Sequence, residues 1–201
     1  MKIVKILIQT VVILLLLVAL VGWLLPSEMA ISRKTNIDAP ASQIYEVVNN
    51  LKVSQEWSPW YKIDPDSTVY IFEGPESGIG AKMSWTSNNP EIGNGSQKII
   101  ESNKPTLVKY EMTFEGFEKP SYASFIIVES GGQSQVEWNY EGDVGVNPFY
   151  HYMTLMMDGM LGPYYEQGLQ DLKTMVENMP DINEESDMEM QTEMDSMTVN
   201  E

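Results

Sequence analysis

The chain has 201 residues, the length of one domain with short appendages, and a formal net charge of −17. Residues 1–30 set Lys2 and Lys5 against Glu28, residues 31–180 hold 10 basic and 20 acidic side chains, and residues 181–201 hold eight acids and no base. So acidic a chain lacks the cationic footprint of a nucleic-acid binder, zero cysteines exclude disulfides and thiolate chemistry, and the single histidine, His151, excludes a His-x-x-x-His pair.

From Ile6 to Leu25 twenty residues carry no charge, and only Gln9 and Thr10 are clearly polar. As a helix this run spans about 30 Å, the hydrocarbon thickness of a bilayer. Residues 1–29 therefore read as a transmembrane anchor. Lys2 and Lys5 precede the run, which predicts a single-pass protein with a cytoplasmic N-terminus and an extracytoplasmic soluble domain. Arg33 and Lys34 on the far side weaken that asymmetry. A cleaved signal peptide is the competing reading, but its apolar region is shorter, about 7–15 residues, and Pro26-Ser-Glu-Met-Ala30 offers no small-x-small exit.

Beyond the anchor, Ala30–Ile37 alternates as a strand, and Ile44, Val47 and Val48 mark a short helix. Trp57-Ser-Pro-Trp60-Tyr61 predicts one irregular helical turn. Strands follow at 68–72, 81–85, 97–101, 108–114, 121–129 and 135–141, separated by Gly, Asn and Pro turns at roughly ten-residue spacing, the pattern of an antiparallel meander. In the best of them Val108, Tyr110, Met112 and Phe114 face one way, as do Val136, Trp138 and Tyr140. Phe149, Met153, Met156, Met157, Met160, Tyr164, Leu169, Leu172 and Val176 then recur at spacings of mostly three and four. They predict one long amphipathic helix bent near Gly162-Pro163, or two in near-continuation.

The soluble domain thus occupies residues 30–179, an α+β fold in which a curved antiparallel sheet is covered by the long C-terminal helix. Residues 180–201 read as an acidic, disordered tail. Met188, Met190, Met194 and Met197 within it are of the type that suits Cu(I), but their composition is that of a solvated segment.

Four features carry a resemblance: the strand–helix entry Ile37-Asp-Ala-Pro-Ala-Ser-Gln-Ile-Tyr-Glu-Val, the Trp57-Ser-Pro-Trp60 segment before Asp64-Pro65, the Gly78-x-Gly80-x-x-x-x-Trp85 strand, and the terminal Met156–Lys173 stretch. In their order and spacing the chain resembles the SRPBCC superfamily, the START/Bet v 1-like helix-grip group, of the polyketide cyclase/dehydrase and lipid-transport type. The resemblance implies a deep apolar cavity between sheet and helix, used across the superfamily for hydrophobic small molecules. It transfers no reaction, because the superfamily mixes binders, transporters and enzymes.

On the residues themselves, Met83, Trp85, Tyr110, Met112, Phe114, Trp138 and Tyr140 from strands face Met153, Met156, Met157 and Met160 from the helix. Methionine against aromatics is a surface that repacks around varied apolar shapes, and also the ordinary content of a core. Trp57, Trp60 and Tyr61 are placed at the pocket mouth, as a gate, as a rest on the membrane interface, or as a plug of the open end. Tyr110 and Tyr140 are candidates to orient a ligand through their hydroxyls, and Asp158 to anchor it unless it turns to solvent. His151 is expected as a partly exposed residue at the start of the helix, and no catalytic or metal-binding set is recognisable. The scarcity of acid–base residues favours a membrane-tethered binder of a lipid or other hydrophobic small molecule, with no cofactor. A cyclase or dehydratase, or an anchored interaction module with a closed core and an unspecified protein partner, are the alternatives.

Overall fold

The structure, a computed structural model, describes residues 1–180. The four methionines of the acidic tail, and all of that tail beyond Pro180, lie outside the described residues. The first element is a helix, α1 (Lys2–Leu24), whose apolar side chains face outward. Strand β1 (Glu28–Ile37) follows directly, then α2 (Ala41–Val48), α3 (Ser54–Trp57) and a 3₁₀ turn at Pro59–Lys62. Strands β2 (Val69–Glu73), β3 (Lys82–Thr86), β4 (Asn94–Asn103), β5 (Leu107–Phe114), β6 (Ser121–Ser130) and β7 (Gln133–Asp143) come next, before α4 (His151–Thr154) and α5 (Met157–Glu177).

All seven strands form one antiparallel sheet in the order β1-β7-β6-β5-β4-β3-β2. The meander supplies six neighbours in sequence, and β1 closes on β7, with Glu28 opposite Asp143 and Ile37 opposite Ser134. The register of β4 on β5 slips between Ile99 and Glu101. Such a bulge bends a strand and sharpens its twist, curling the sheet toward α5. Along β6 and β7 burial alternates strictly at first: Ser121, Ala123, Phe125 and Ile127 point inward, as do Ser134, Val136, Trp138 and Tyr140. The two-residue period places one face of each strand against α5 and the other in water.

The concave face is filled unevenly. At the end away from α1, Ile37, Ile44, Val48, Val108, Ile127, Val136, Leu172 and Val176 are fully buried and form a compact aliphatic half-core. The end carrying Glu28, Phe114, Ser121 and Asp143 lies next to α1 and is lined by aromatics and methionines instead.

Two expectations about the C-terminal helix are corrected. The interruption falls at Leu155–Met156, and α5 runs through Pro163 without ending. Pro163 removes the bond to the carbonyl of Gly159, beside which the space is open. The buried row is Met157, Tyr165, Leu169, Leu172 and Val176. It runs one residue out of phase with a Met156–Met160–Tyr164 row, of which Met156 and Met160 are exposed and Tyr164 is half-buried against Trp60.

Candidate ligand cavity

Between the aromatic end of the sheet and α5 lies a cavity of about 400 Å³. Its floor follows from the strand registers. Ala123 on β6 sits opposite Tyr110 on one side and Tyr140 on the other, so a methyl group separates two large rings. Phe125, two residues along, pairs with Trp138 and stacks on it at 4.9 Å between ring centroids. Met83 and Trp85 extend the floor on β3, and Met112 and Phe114 on β5. Trp85 lies over Gly95, where any Cβ would meet its ring. The roof is Met153 from α4 with Met157, Leu161 and Tyr165 from α5, and Met160 forms part of the rim.

Trp138 is the hub of the inner wall. Its ring approaches Tyr165 at 4.2 Å and meets Trp57 and Trp60 edge-on at 5.5 and 5.7 Å. Edge-on and offset pairs are the arrangements that the aromatic quadrupole favours. α5 comes this close because residue 168 is glycine; a Cβ there would stand 2.7 Å from the Trp138 ring.

Polar groups around the cavity are few, and several are already engaged. The Tyr110 hydroxyl donates to the carbonyl of Val48, and that of Tyr140 to Ser121 Oγ at 2.9 Å. The Tyr61 hydroxyl donates to the sulfur of Met83. Desolvation pushes the phenols of Tyr61, Tyr110, Tyr140 and Tyr165 above their ordinary value, so all remain neutral at physiological pH. The Trp57 indole N–H is buried without a partner. Of all the lining residues Glu91 alone is an Asp, Glu, Lys, Arg or His, and it is exposed at the rim.

The structure brings Trp85, Tyr110, Met112, Phe114, Trp138, Tyr140, Met153, Met157 and Met160 around one space, together with Trp57, Trp60 and Tyr61. Met156 stays outside it, 62% exposed, because the break at Leu155–Met156 rotates it off the inward row. Trp57 does not stand at a mouth: at 3% exposure it belongs to the inner wall. Trp60 and Tyr61 are half-buried, Trp60 stacking on Tyr164 and Tyr61 on Tyr70 of β2, so they wedge the gap between α5 and the sheet edge. The mouth itself lies at the end near α1, bordered by Phe117, Glu91 and Met160. Asp158 turns to solvent and pairs with Arg33 at 2.9 Å. His151 is buried, not partly exposed: its ring is held between the carbonyls of Gly22 and Gly145.

Sequence reasoning missed Met29, Phe125, Tyr165 and Phe117 among the lining residues. Tyr165 was within reach, since Met157, Leu161, Tyr165 and Leu169 recur every four residues. Phe117 sits in a turn, where no periodicity applies.

A curved sheet gripping a long helix around an apolar void defines a helix-grip cavity protein. Residues 29–177 match the family described as Polyketide cyclase / dehydrase and lipid transport, and the chain belongs to that family. Comparison with the curated proteins gives no match. Among solved structures, norcoclaurine synthase from Thalictrum flavum is similar at 14% identity and a TM-score of 0.57, covering 79% of this chain and 92% of its own. Protein CV1439 from Chromobacterium violaceum is similar at 17% identity and a TM-score of 0.51, covering 76% and 98%. The di-domain ARO/CYC protein BexL of the BE-7585A biosynthetic pathway is similar at 12% identity and a TM-score of 0.54, covering 77% of this chain and 52% of its own. At these identities the likeness establishes the fold. Family and fold together support a hydrophobic ligand-binding or cyclase-type function. α1 has the length and apolarity of a membrane span or a signal sequence.

Proposed function

We propose that the protein is a membrane-tethered binder of an uncharged hydrophobic small molecule, held between the sheet and α5. The observation that carries this reading is the chemistry of the lining. The cavity has the volume of a small-molecule site, about 300–1,000 Å³ in general, and none of its lining residues is Lys, Arg or His. A carboxylate or phosphate drawn inside would lose its hydration with no cation to replace it. A neutral ligand meets walls of aromatic rings, methionines and aliphatic side chains, and its apolar surface leaves water on entry.

The same lining favours binding over cyclase-type chemistry. General acid–base catalysis wants a group that titrates near neutrality. Here the phenols are raised by burial, and three of them, Tyr61, Tyr110 and Tyr140, already donate to protein groups, as does the Ser54 hydroxyl. Tethering rests on α1, a 23-residue helix with Lys2 and Lys5 at its start and no buried side chains to occupy its apolar surface.

The test is ligand occupancy of the full chain purified in mild detergent. Native mass spectrometry and solvent extraction are expected to show a neutral apolar compound at one per chain, and a neutral fluorophore to compete with it saturably. A matched anionic fluorophore is expected to bind at least tenfold more weakly, a difference of about 1.4 kcal/mol. Equal binding of the two, or no saturable binding of either, would overturn the reading.

A further inference from the structure

We propose that residues 144–157 form a collar seated in the membrane interface, and that the cavity opens through it onto the lipid. The inference rests on the reading of α1 as a membrane span.

Three observations converge. First, the fourteen residues between Asp143 and Asp158 contain no Asp, Glu, Lys or Arg, in a chain where 20% of residues are charged. Second, this segment is uncharged without being buried. Val146 is 90% exposed and Leu155 64%, and Phe149, Tyr150 and Met156 are exposed with them. Such an exposed apolar cluster marks an interaction surface, and Tyr, Trp and Phe favour the level of lipid headgroups.

Third, the segment is fastened to α1 at a definite height. The Tyr152 hydroxyl donates to the carbonyl of Val18 at 2.7 Å, and Thr154 Oγ1 lies 3.3 Å from the carbonyl of Pro26. His151 sits between the carbonyls of Gly22 and Gly145, each 2.9 Å from a ring nitrogen. Gly22 itself touches Pro148 so closely that any Cβ would collide with its carbonyl. Val18 precedes Leu24 by six residues, about 9 Å along a helix. With Leu24 at the boundary of the hydrocarbon, Tyr152 reaches about 9 Å below it, within the 5–10 Å depth of interfacial helices. The collar cannot leave the membrane without breaking these contacts.

Its position relative to the cavity gives the surface a purpose. Met153 and Met157 belong both to the collar and to the cavity roof, and the rim residue Phe117 lies against Tyr150, 6.5 Å between centroids. A neutral apolar molecule dissolved in the bilayer would therefore enter without crossing water. The partner is the bilayer itself, and one of zwitterionic lipid, since a chain of net charge −17 is repelled by an anionic surface.

The absence of cysteine allows clean single-site spin labelling of the full chain in phosphatidylcholine vesicles. Labels would be placed at Val146→Cys and Leu155→Cys in the collar, Leu14→Cys in mid-span, and Ser130→Cys at the opposite end of the sheet. The expected result is loss of collision with a water-soluble nickel chelate, and gain with oxygen, at residues 14, 146 and 155 but not at 130. If residue 14 is shielded while 146 and 155 are as open to nickel as 130, the collar is refuted and the anchor stands. If residue 14 is itself open to nickel, the anchor reading fails and the collar with it.

Discussion

Replacing Ala123 by leucine is expected to stabilise the protein while abolishing ligand binding. Ala123 is 5% exposed, lies on the cavity floor, and is flanked across the sheet by Tyr110 and Tyr140. Leucine adds three carbons, and at about 0.8 kcal/mol for each one buried the gain approaches about 2 kcal/mol if they enter free space. For a chain of this size that corresponds to a rise of about 4–8 °C in the melting temperature. Were the interior already filled, the same atoms would force neighbours off their rotamers and cost about 1–3 kcal/mol. The two accounts differ in sign. Val136→Leu supplies the control, because Val136 is fully buried in the aliphatic half-core, where added carbons should destabilise. Thermal unfolding followed by near-ultraviolet circular dichroism, with titration of the neutral fluorophore, reads both effects. A fall in melting temperature for Ala123→Leu matching that of Val136→Leu would show that the floor has no room and that no cavity lies above it.

Trp138→Ala removes the ring that contacts Phe125, Tyr165, Trp57 and Trp60, and is expected to cost about 3–5 kcal/mol in denaturant unfolding; a loss under about 1 kcal/mol would contradict its place as hub. Alkali should unfold the protein cooperatively. Burial raises the phenols of Tyr61, Tyr110, Tyr140 and Tyr165, so stability is complete below the unfolded value of about 10 and falls as pH rises above it. Their phenolate absorbance should therefore appear only with unfolding, and reversible titration of all ten tyrosines in the native state would refute this. In acid, the Arg33 guanidinium holds the Asp158 carboxyl below its ordinary range, and that contribution is present above about pH 4 and fades as pH falls through the lowered value. The stability gap between wild type and Arg33→Met should accordingly narrow in acid and in high salt, and a gap independent of both would exclude the ion pair as its origin.

What could be read from the chain depended on whether burial was one-sided. β5 and β7 bury one face each, so Tyr110, Trp138 and Tyr140 were assignable to the interior by period alone. The same logic was ambiguous across α4 and α5, where methionines stand at 153, 156, 157 and 160 and Met156 alone falls outside the cavity. Both candidate rows are equally apolar, and only the break at Leu155–Met156 fixes which turns inward. The roles of His151 and Tyr152 were invisible for a different reason. Their partners, Gly22 and Val18, lie 129 and 134 residues away in a segment that reads as membrane, and no local pattern reports a contact of that range. The hydroxyls of Tyr110 and Tyr140 likewise find partners, Val48 and Ser121, that only the assembled sheet and α2 supply.

The division of the core into an aliphatic half and an aromatic half has an energetic consequence that can be measured. An apolar space of about 400 Å³ forgoes the side-chain contacts that a filled core would make, a cost set against a margin of only about 5–15 kcal/mol that keeps a domain folded. The fold survives such a space because the fully buried aliphatic end holds the sheet to α2 and α5 independently, and because an occupant can return part of the loss. Binding to the native state alone raises stability by RT ln(1 + [L]/Kd), about 2.7 kcal/mol at a hundredfold excess over Kd. Removing the resident molecule by detergent exchange should therefore lower the melting temperature by several degrees, and adding back the extracted neutral fraction should restore it. Because the aliphatic half does not depend on the occupant, secondary structure should be unchanged in the stripped protein. A melting temperature indifferent to stripping would mean that nothing bound there contributes to the fold, and the link between the void and a ligand would be broken.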